Sequence, residues 1–198
     1  MTISTPRHLP LAALVIGGLL LIPSVGHGQT LEEFQGVVEK LSAKSPAGGP
    51  KKNASAAVFV FFRKSKKLCW IADGKLASVD IVPTRETDDT KEGGPTPVGE
   101  YLIGKRFQHE KHKIDWCKLY PRMEDNSGYH GYTAKTKTGR SAMGLHPGSV
   151  SLGCVTVKST ESPYDSAGAW KVVRQQLDTG KLTYKSDDYS GFLYVEDK

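Results

Sequence analysis

The sequence predicts a mainly β domain, sandwich- or barrel-like, with one helix packed against it late in the chain. Three observations predict this. From residue 56 onward, short runs rich in Val, Ile, Phe, Tyr and Trp are separated by Gly-, Pro- and Asp-bearing turns. No strand–helix–strand alternation interrupts those runs, so a doubly wound parallel sheet is excluded. The one late stretch with helical spacing, Asp165 to Leu177, places Ala169, Trp170, Val173 and Leu177 on one face, with Gly180 following as a stop.

The elements follow in order. Thr30 with Glu33 forms a capping-box pattern, and Leu31, Phe34, Val38 and Leu41 recur at helical spacing, which predicts a helix over 30–44. Ser45 to Asn53 is a linker by composition, rich in Pro, Gly and Lys. Ala57–Phe62, Leu68–Ala72 and Leu76–Val82 read as three strands of a meander, with Asp73-Gly74 as the tightest turn. A polar loop runs from Pro83 to Gly94, and Pro95-Thr96-Pro97-Val98-Gly99 makes a rigid turn into the strand around Tyr101. Further strands are expected near 115–120, 129–134, 140–146 and 152–158. Leu182–Tyr184 and Phe192–Val195 are expected to close the sheet.

The start of the chain carries a different signal. Arg7 and His8 precede an apolar run from Leu9 to Ile22, and small residues follow up to Gly28. A positive start, an apolar core and a small-residue end read as a secretory signal peptide over 1–28. The core, about fourteen residues, is shorter than the roughly twenty a membrane span needs, and the alternative is an uncleaved N-terminal anchor. The organisation expected is therefore leader 1–28, short helix and linker 29–55, and one domain over 56–198. The location expected is periplasmic or secreted, with no membrane contact after leader removal.

The net charge of +6 becomes +5 without the leader, because Arg7 is its only charged residue. A mild positive balance suits an anionic polymer such as a cell wall. No Lys/Arg stripe with interleaved aromatics is present, so nucleic acid is not expected. Three cysteines in an exported chain leave one over. Cys69 and Cys117 sit in similar strand-like contexts, and the alternatives are that they pair or that both are buried free thiols. His109 and His112 have His-x-x-His spacing, but no cysteine or acidic pair completes a ligand set, so neither metal nor cofactor is expected.

The most distinctive run is Gly144-Leu145-His146-Pro147-Gly148-Ser149-Val150-Ser151-Leu152-Gly153-Cys154-Val155. A thiol attacks as thiolate, and a neighbouring imidazole is the commonest way to take its proton near neutral pH. A glycine before the cysteine lets backbone N–H groups turn toward a reacting carbonyl. These features nominate Cys154 as nucleophile, His146 as base and Gly153 as part of the oxyanion site. His130, in Gly128-Tyr129-His130-Gly131-Tyr132, is the competing base, 24 residues before Cys154. Arg140 is a candidate partner for a substrate carboxylate. Ser151, Leu152, Tyr129 and His130 are candidate substrate contacts, with a plain turn role as the alternative for Ser151.

Together, Thr96-Pro97-Val98-Gly99-Glu100-Tyr101, Gly144-Leu145-His146 and Ser151-Leu152-Gly153-Cys154-Val155 resemble the L,D-transpeptidase catalytic domain (YkuD-like) across roughly residues 57–158. Leu152 stands where that family usually has histidine, Thr156 where it has arginine or asparagine, and the His-to-Cys loop is short. In these departures the chain resembles a divergent branch that includes wall-acting type VI secretion effectors. The resemblance implies an acyl-enzyme on Cys154, formed at the amide after the third residue of a peptidoglycan stem tetrapeptide. The terminal D-alanine leaves, and an amine or water takes the acyl group. It also implies N–H groups of Gly153 and Cys154, with Leu152, around the oxyanion, and a backbone carbonyl, here of Pro147, on the second imidazole nitrogen. Peptidoglycan stem peptides are the partner expected of a monomeric enzyme. The alternatives are a cell-wall binding domain on a decayed catalytic scaffold, and a papain-like hydrolase. The latter usually places its cysteine before its histidine, and no histidine follows Cys154.

Overall fold

The computed structural model describes residues 29–42, 50, 55–124, 130–159 and 168–198. The predicted leader, most of the linker, Tyr129 and residues 165–167 of the predicted second helix lie outside the described residues. Helix α1 (Leu31–Ser42) begins at the expected capping box: Glu33 N–H donates to Thr30 Oγ1 and Thr30 N–H to Glu33 Oε2, both at 3.1 Å. Among its described side chains Phe34 and Val37 are buried, whereas Leu31, expected on the apolar face, is exposed.

Strands β1 (Ala57–Phe62), β2 (Lys67–Ala72) and β3 (Lys75–Asp80) form the predicted antiparallel meander. The β2–β3 turn has Asp73 and Gly74 both at positive φ (49° and 73°), the geometry that makes Asp-Gly the preferred hairpin pair. There follow β4 (Gly99–Gly104), a short β5 (Phe107–Gln108), β6 (Asp115–Glu124), β7 (His130–Tyr132), β8 (Gly144–Gly148) and β9 (Val155–Lys158). Helix α2 (Gly168–Thr179), β10 (Leu182–Tyr184) and β11 (Asp187–Glu196) complete the chain.

The main sheet runs β3-β2-β1-β11-β4-β6-β8-β9. The C-terminal strand lies at the centre of this sheet, parallel to β1 and antiparallel to β4. The two ends of the sheet come together instead. Ile81, just after β3, bridges antiparallel to Val157 on β9, and Val82 N–H donates to the Thr156 carbonyl at 2.8 Å. The result is a nearly closed barrel.

Strand alternation divides the core in two. Phe59, Phe61, Tyr101, Ile103, Leu193 and Val195 face one cluster, which α2 plugs with Trp170, Val173 and Leu177. Val60, Phe62, Leu102, Phe192 and Tyr194 face the other, which α1 covers with Phe34 and Val37. Cys117 belongs to the first cluster and Cys69 to the second, on opposite faces of the sheet. Of the two alternatives for Cys69 and Cys117, the structure shows the buried free thiols, and burial pushes the titration of both up to about 12.

Candidate active site

The Cys154 loop and the His146 strand are brought together by a parallel pair. Strand β8 pairs with β9 in the register Leu145↔Val155 and His146↔Thr156, and just before the pair the Cys154 thiol hydrogen-bonds the Gly144 backbone. Leu145, Val155 and Val157 point into the core. By strand alternation, residues 144, 146, 154 and 156 share the opposite face. With strands ~4.8 Å apart and a rise of ~3.3 Å per residue, the His146 and Cys154 Cα atoms lie roughly 8 Å apart on that face. Both side chains line one cleft of about 1200 Å³, with Trp116, Leu152, Arg85 and Lys158 also on its walls.

The imidazole of His146 is 8% exposed and held on three sides. Its Nδ1 lies 2.9 Å from the Pro147 carbonyl oxygen. A carbonyl only accepts, so Nδ1 carries the proton and Nε2 is the free base. Nε2 in turn lies 3.3 Å from Thr156 Oγ1, whose hydroxyl donates to it. The ring stacks on Trp116, with centroids 4.4 Å apart and planes 8° from parallel. Gly144 makes this possible, because a Cβ there would run into the Trp116 indole. Burial lowers the His146 titration to about 4; the Pro147 hydrogen bond opposes this, and His112 and His109 reinforce it. His109 packs on both His112 and Trp116, at ring-centroid distances of 4.7 and 4.9 Å.

Cys154 is half-buried. Burial raises its thiol to about 11, against a hydrogen bond with the Gly144 backbone and the charge of Arg140. Burial thus favours the neutral form of both groups. Ser151 is buried and donates from Oγ to the Cys154 carbonyl at 2.8 Å, so its geometry is that of a turn cap. Gly153 adopts φ +104°, a region that favours glycine. Leu152 is 71% exposed at the cleft.

The structure also bears on Arg140 and His130. Arg140 does not aim its guanidinium at a substrate carboxylate. Its Nη1 donates to the carbonyls of Asp89 and Pro95, both at 2.7 Å, and its Nη2 to those of Gly94 at 2.8 Å and Gly153 at 3.3 Å. The backbone of His130 pairs with Glu124 on β6, whereas β8 pairs at Cys117 and Lys118. Extending that register by one puts His146 opposite residue 116, eight positions along β6 from Glu124, or roughly 26 Å. Of the two histidines, His146 is the one beside Cys154. Trp116 and Thr156 were given no role by the sequence. Trp116 left only the indirect signal of the Gly144 that accommodates it. Thr156 stood out as a departure from a family pattern, without its contact to the imidazole being visible.

A family model described as the Tlde1 domain matches residues 81–181 of the chain. No curated protein sequence matches it. Among solved structures, an L,D-transpeptidase from Xylanimonas cellulosilytica matches at 15% identity over 75% of this chain, with a TM-score of 0.35. Bd1075 of Bdellovibrio bacteriovorus matches at 19% identity over 78% (TM-score 0.42), and an L,D-transpeptidase (Yku) from Stackebrandtia nassauensis at 13% over 83% (TM-score 0.34). The chain spans 64%, 52% and 66% of those three chains, under two thirds of each.

Proposed function

The chain belongs to the Tlde1 domain family of type VI secretion L,D-transpeptidase effectors, and on that premise we propose that it is a cysteine-dependent peptidoglycan L,D-transpeptidase. Its substrate is the stem tetrapeptide, and with water as acceptor it acts as an L,D-carboxypeptidase. The observation that supports this reading is the β8–β9 pairing, which sets Cys154 beside a His146 whose Nε2 is left as the base. The leader pattern over 1–28 supports a periplasmic or secreted site of action.

The chemistry follows from those two residues. Neutral His146 takes the thiol proton at Nε2 as the Cys154 sulfur attacks the carbonyl of the third stem residue. A carbon–sulfur bond forms and the carbonyl oxygen becomes an oxyanion, met by backbone N–H groups of the Gly153–Cys154 segment. The intermediate collapses, the amide carbon–nitrogen bond breaks, and the imidazolium gives its proton to the departing D-alanine amine. An acceptor amine or water then loses a proton to His146, attacks the thioester and releases the thiol. Proton transfer of this kind contributes ~10²–10⁴ in rate. With Arg140 engaged by carbonyls, the candidate cations for the substrate carboxylate are Lys66, Arg85 and Lys158, all on the cleft wall.

Incubation with purified tetrapeptide muropeptides tests the reading. Mass spectrometry is expected to find tripeptides, or cross-linked or exchanged products, with the native chain and none with Cys154→Ala. Unchanged tetrapeptides with the native protein would reject the proposal.

A further inference from the structure

The geometry points to Thr96 and Arg140 as positioning residues that aim the Cys154 backbone N–H for oxyanion binding. The inference deepens the proposed function, because it rests on Cys154 forming the acyl-enzyme. The Gly153 carbonyl accepts two hydrogen bonds, from Thr96 Oγ1 at 3.1 Å and from Arg140 Nη2 at 3.3 Å. The peptide bond joining Gly153 to Cys154 is trans. In a trans peptide the C=O and N–H vectors are antiparallel, so fixing the carbonyl fixes the N–H in the opposite direction. The Cys154 N–H is therefore held facing away from Thr96 and Arg140.

The clamp is rigid at both ends. Thr96 is 1% exposed and sits between two prolines whose carbonyls are also tied. Pro95 accepts from Arg140 Nη1 at 2.7 Å, and Pro97 from the Tyr101 hydroxyl at 2.6 Å. At the other end, a side chain on Gly153 would put its Cβ 2.5 Å from Arg140 Nη2 and 2.9 Å from the Gly94 carbonyl oxygen. The next peptide is pinned as well, by the Ser151 hydroxyl on the Cys154 carbonyl at 2.8 Å. Both peptide planes flanking the sulfur are thus set before any substrate arrives, which is the condition under which an oxyanion donor acts without reorganisation.

Two thiol reactions separate oxyanion positioning from general integrity. With p-nitrophenyl acetate, the Cys154 sulfur bonds to the acetyl carbon, p-nitrophenolate departs and the thiol proton passes to His146; an oxyanion forms on the way. With iodoacetamide, sulfur displaces iodide at a saturated carbon and no oxyanion forms. Thr96→Val is expected to slow acetylation by ~10–100-fold, in the range of losing an oxyanion donor, while alkylation stays within about twofold. Thr96→Ser is expected to restore acetylation, and Arg140→Lys to lower the same ratio. Unchanged acetylation in Thr96→Val, or a parallel fall in both reactions, would overturn the inference. Should Thr96→Val not fold, the ratio in Arg140→Lys decides in the same way. A native enzyme that is acetylated but leaves tetrapeptides intact would count against the proposed substrate and not against this positioning role.

Discussion

Acidification should destabilise this protein through one imidazole more than through any surface group. His146 titrates near 4 in the fold instead of at its ordinary 6.5, chiefly because burial disfavours the charged ring. A depressed histidine favours the folded state only while the unfolded chain is also neutral. Its contribution is complete above 6.5 and is lost progressively as the pH falls from 6.5 to 4. The interval corresponds to about 3 kcal/mol, a large fraction of the ~5–15 kcal/mol that holds a domain together. The perturbation is His146→Gln, which keeps a polar side chain but cannot titrate. Denaturant unfolding of both proteins at a series of pH values from 7.5 to 4 isolates the residue, since every carboxylate is common to the two. The stability difference between them should shift by about 3 kcal/mol across that range, in the direction that penalises the native chain at low pH. Parallel curves, or a His146 ring resonance titrating near 6.5, would refute the assignment of a desolvated neutral base.

Other outcomes follow from the same geometry. Gly144→Ala drives a methyl group into the Trp116 indole and is expected to cost ~1–3 kcal/mol, read by denaturant unfolding, with loss of the ring stack on His146. Because the Cys154 thiol titrates near 11, its alkylation rate should climb about tenfold per pH unit between 7 and 10. A plateau beginning near pH 6 would instead reveal a thiolate–imidazolium pair. Under non-reducing conditions the native protein should expose the one thiol of Cys154, and the unfolded protein all three free thiols. A single reactive thiol after unfolding would mean that Cys69 and Cys117 are bridged.

The candidate site was largely legible because its two candidate residues, His146 and Cys154, lie within one run of the chain. Glycine before cysteine and Gly-aliphatic-His are local patterns, and the parallel β8–β9 pair joins them across a short loop. Periodicity also found both helices and most strands, since alternation along β1, β4 and β11 feeds two separate cores. What the sequence hid depends on registers between distant segments. The central position of β11 comes from pairing with β1, which begins 130 residues earlier in the chain (Asp187 against Ala57). The fate of Arg140 is set by carbonyls from 89–95 and from Gly153, and backbone acceptors leave no trace in side-chain identity. Cys69 and Cys117 looked equivalent in their local context. Only the parity of each strand sends one to each face of the sheet.

In the proposed reaction the Cys154 sulfur, deprotonated by His146, carries the acyl group. Intact-mass measurement after mixing with a carbapenem, an acylating agent with a strained carbonyl, tests it most directly. A single adduct is expected that maps to Cys154, is abolished in Cys154→Ala, and forms far more slowly in His146→Ala while remaining unaffected in a His130 variant. An adduct on Cys69 or Cys117, or acylation of Cys154 at an undiminished rate without His146, would contradict it.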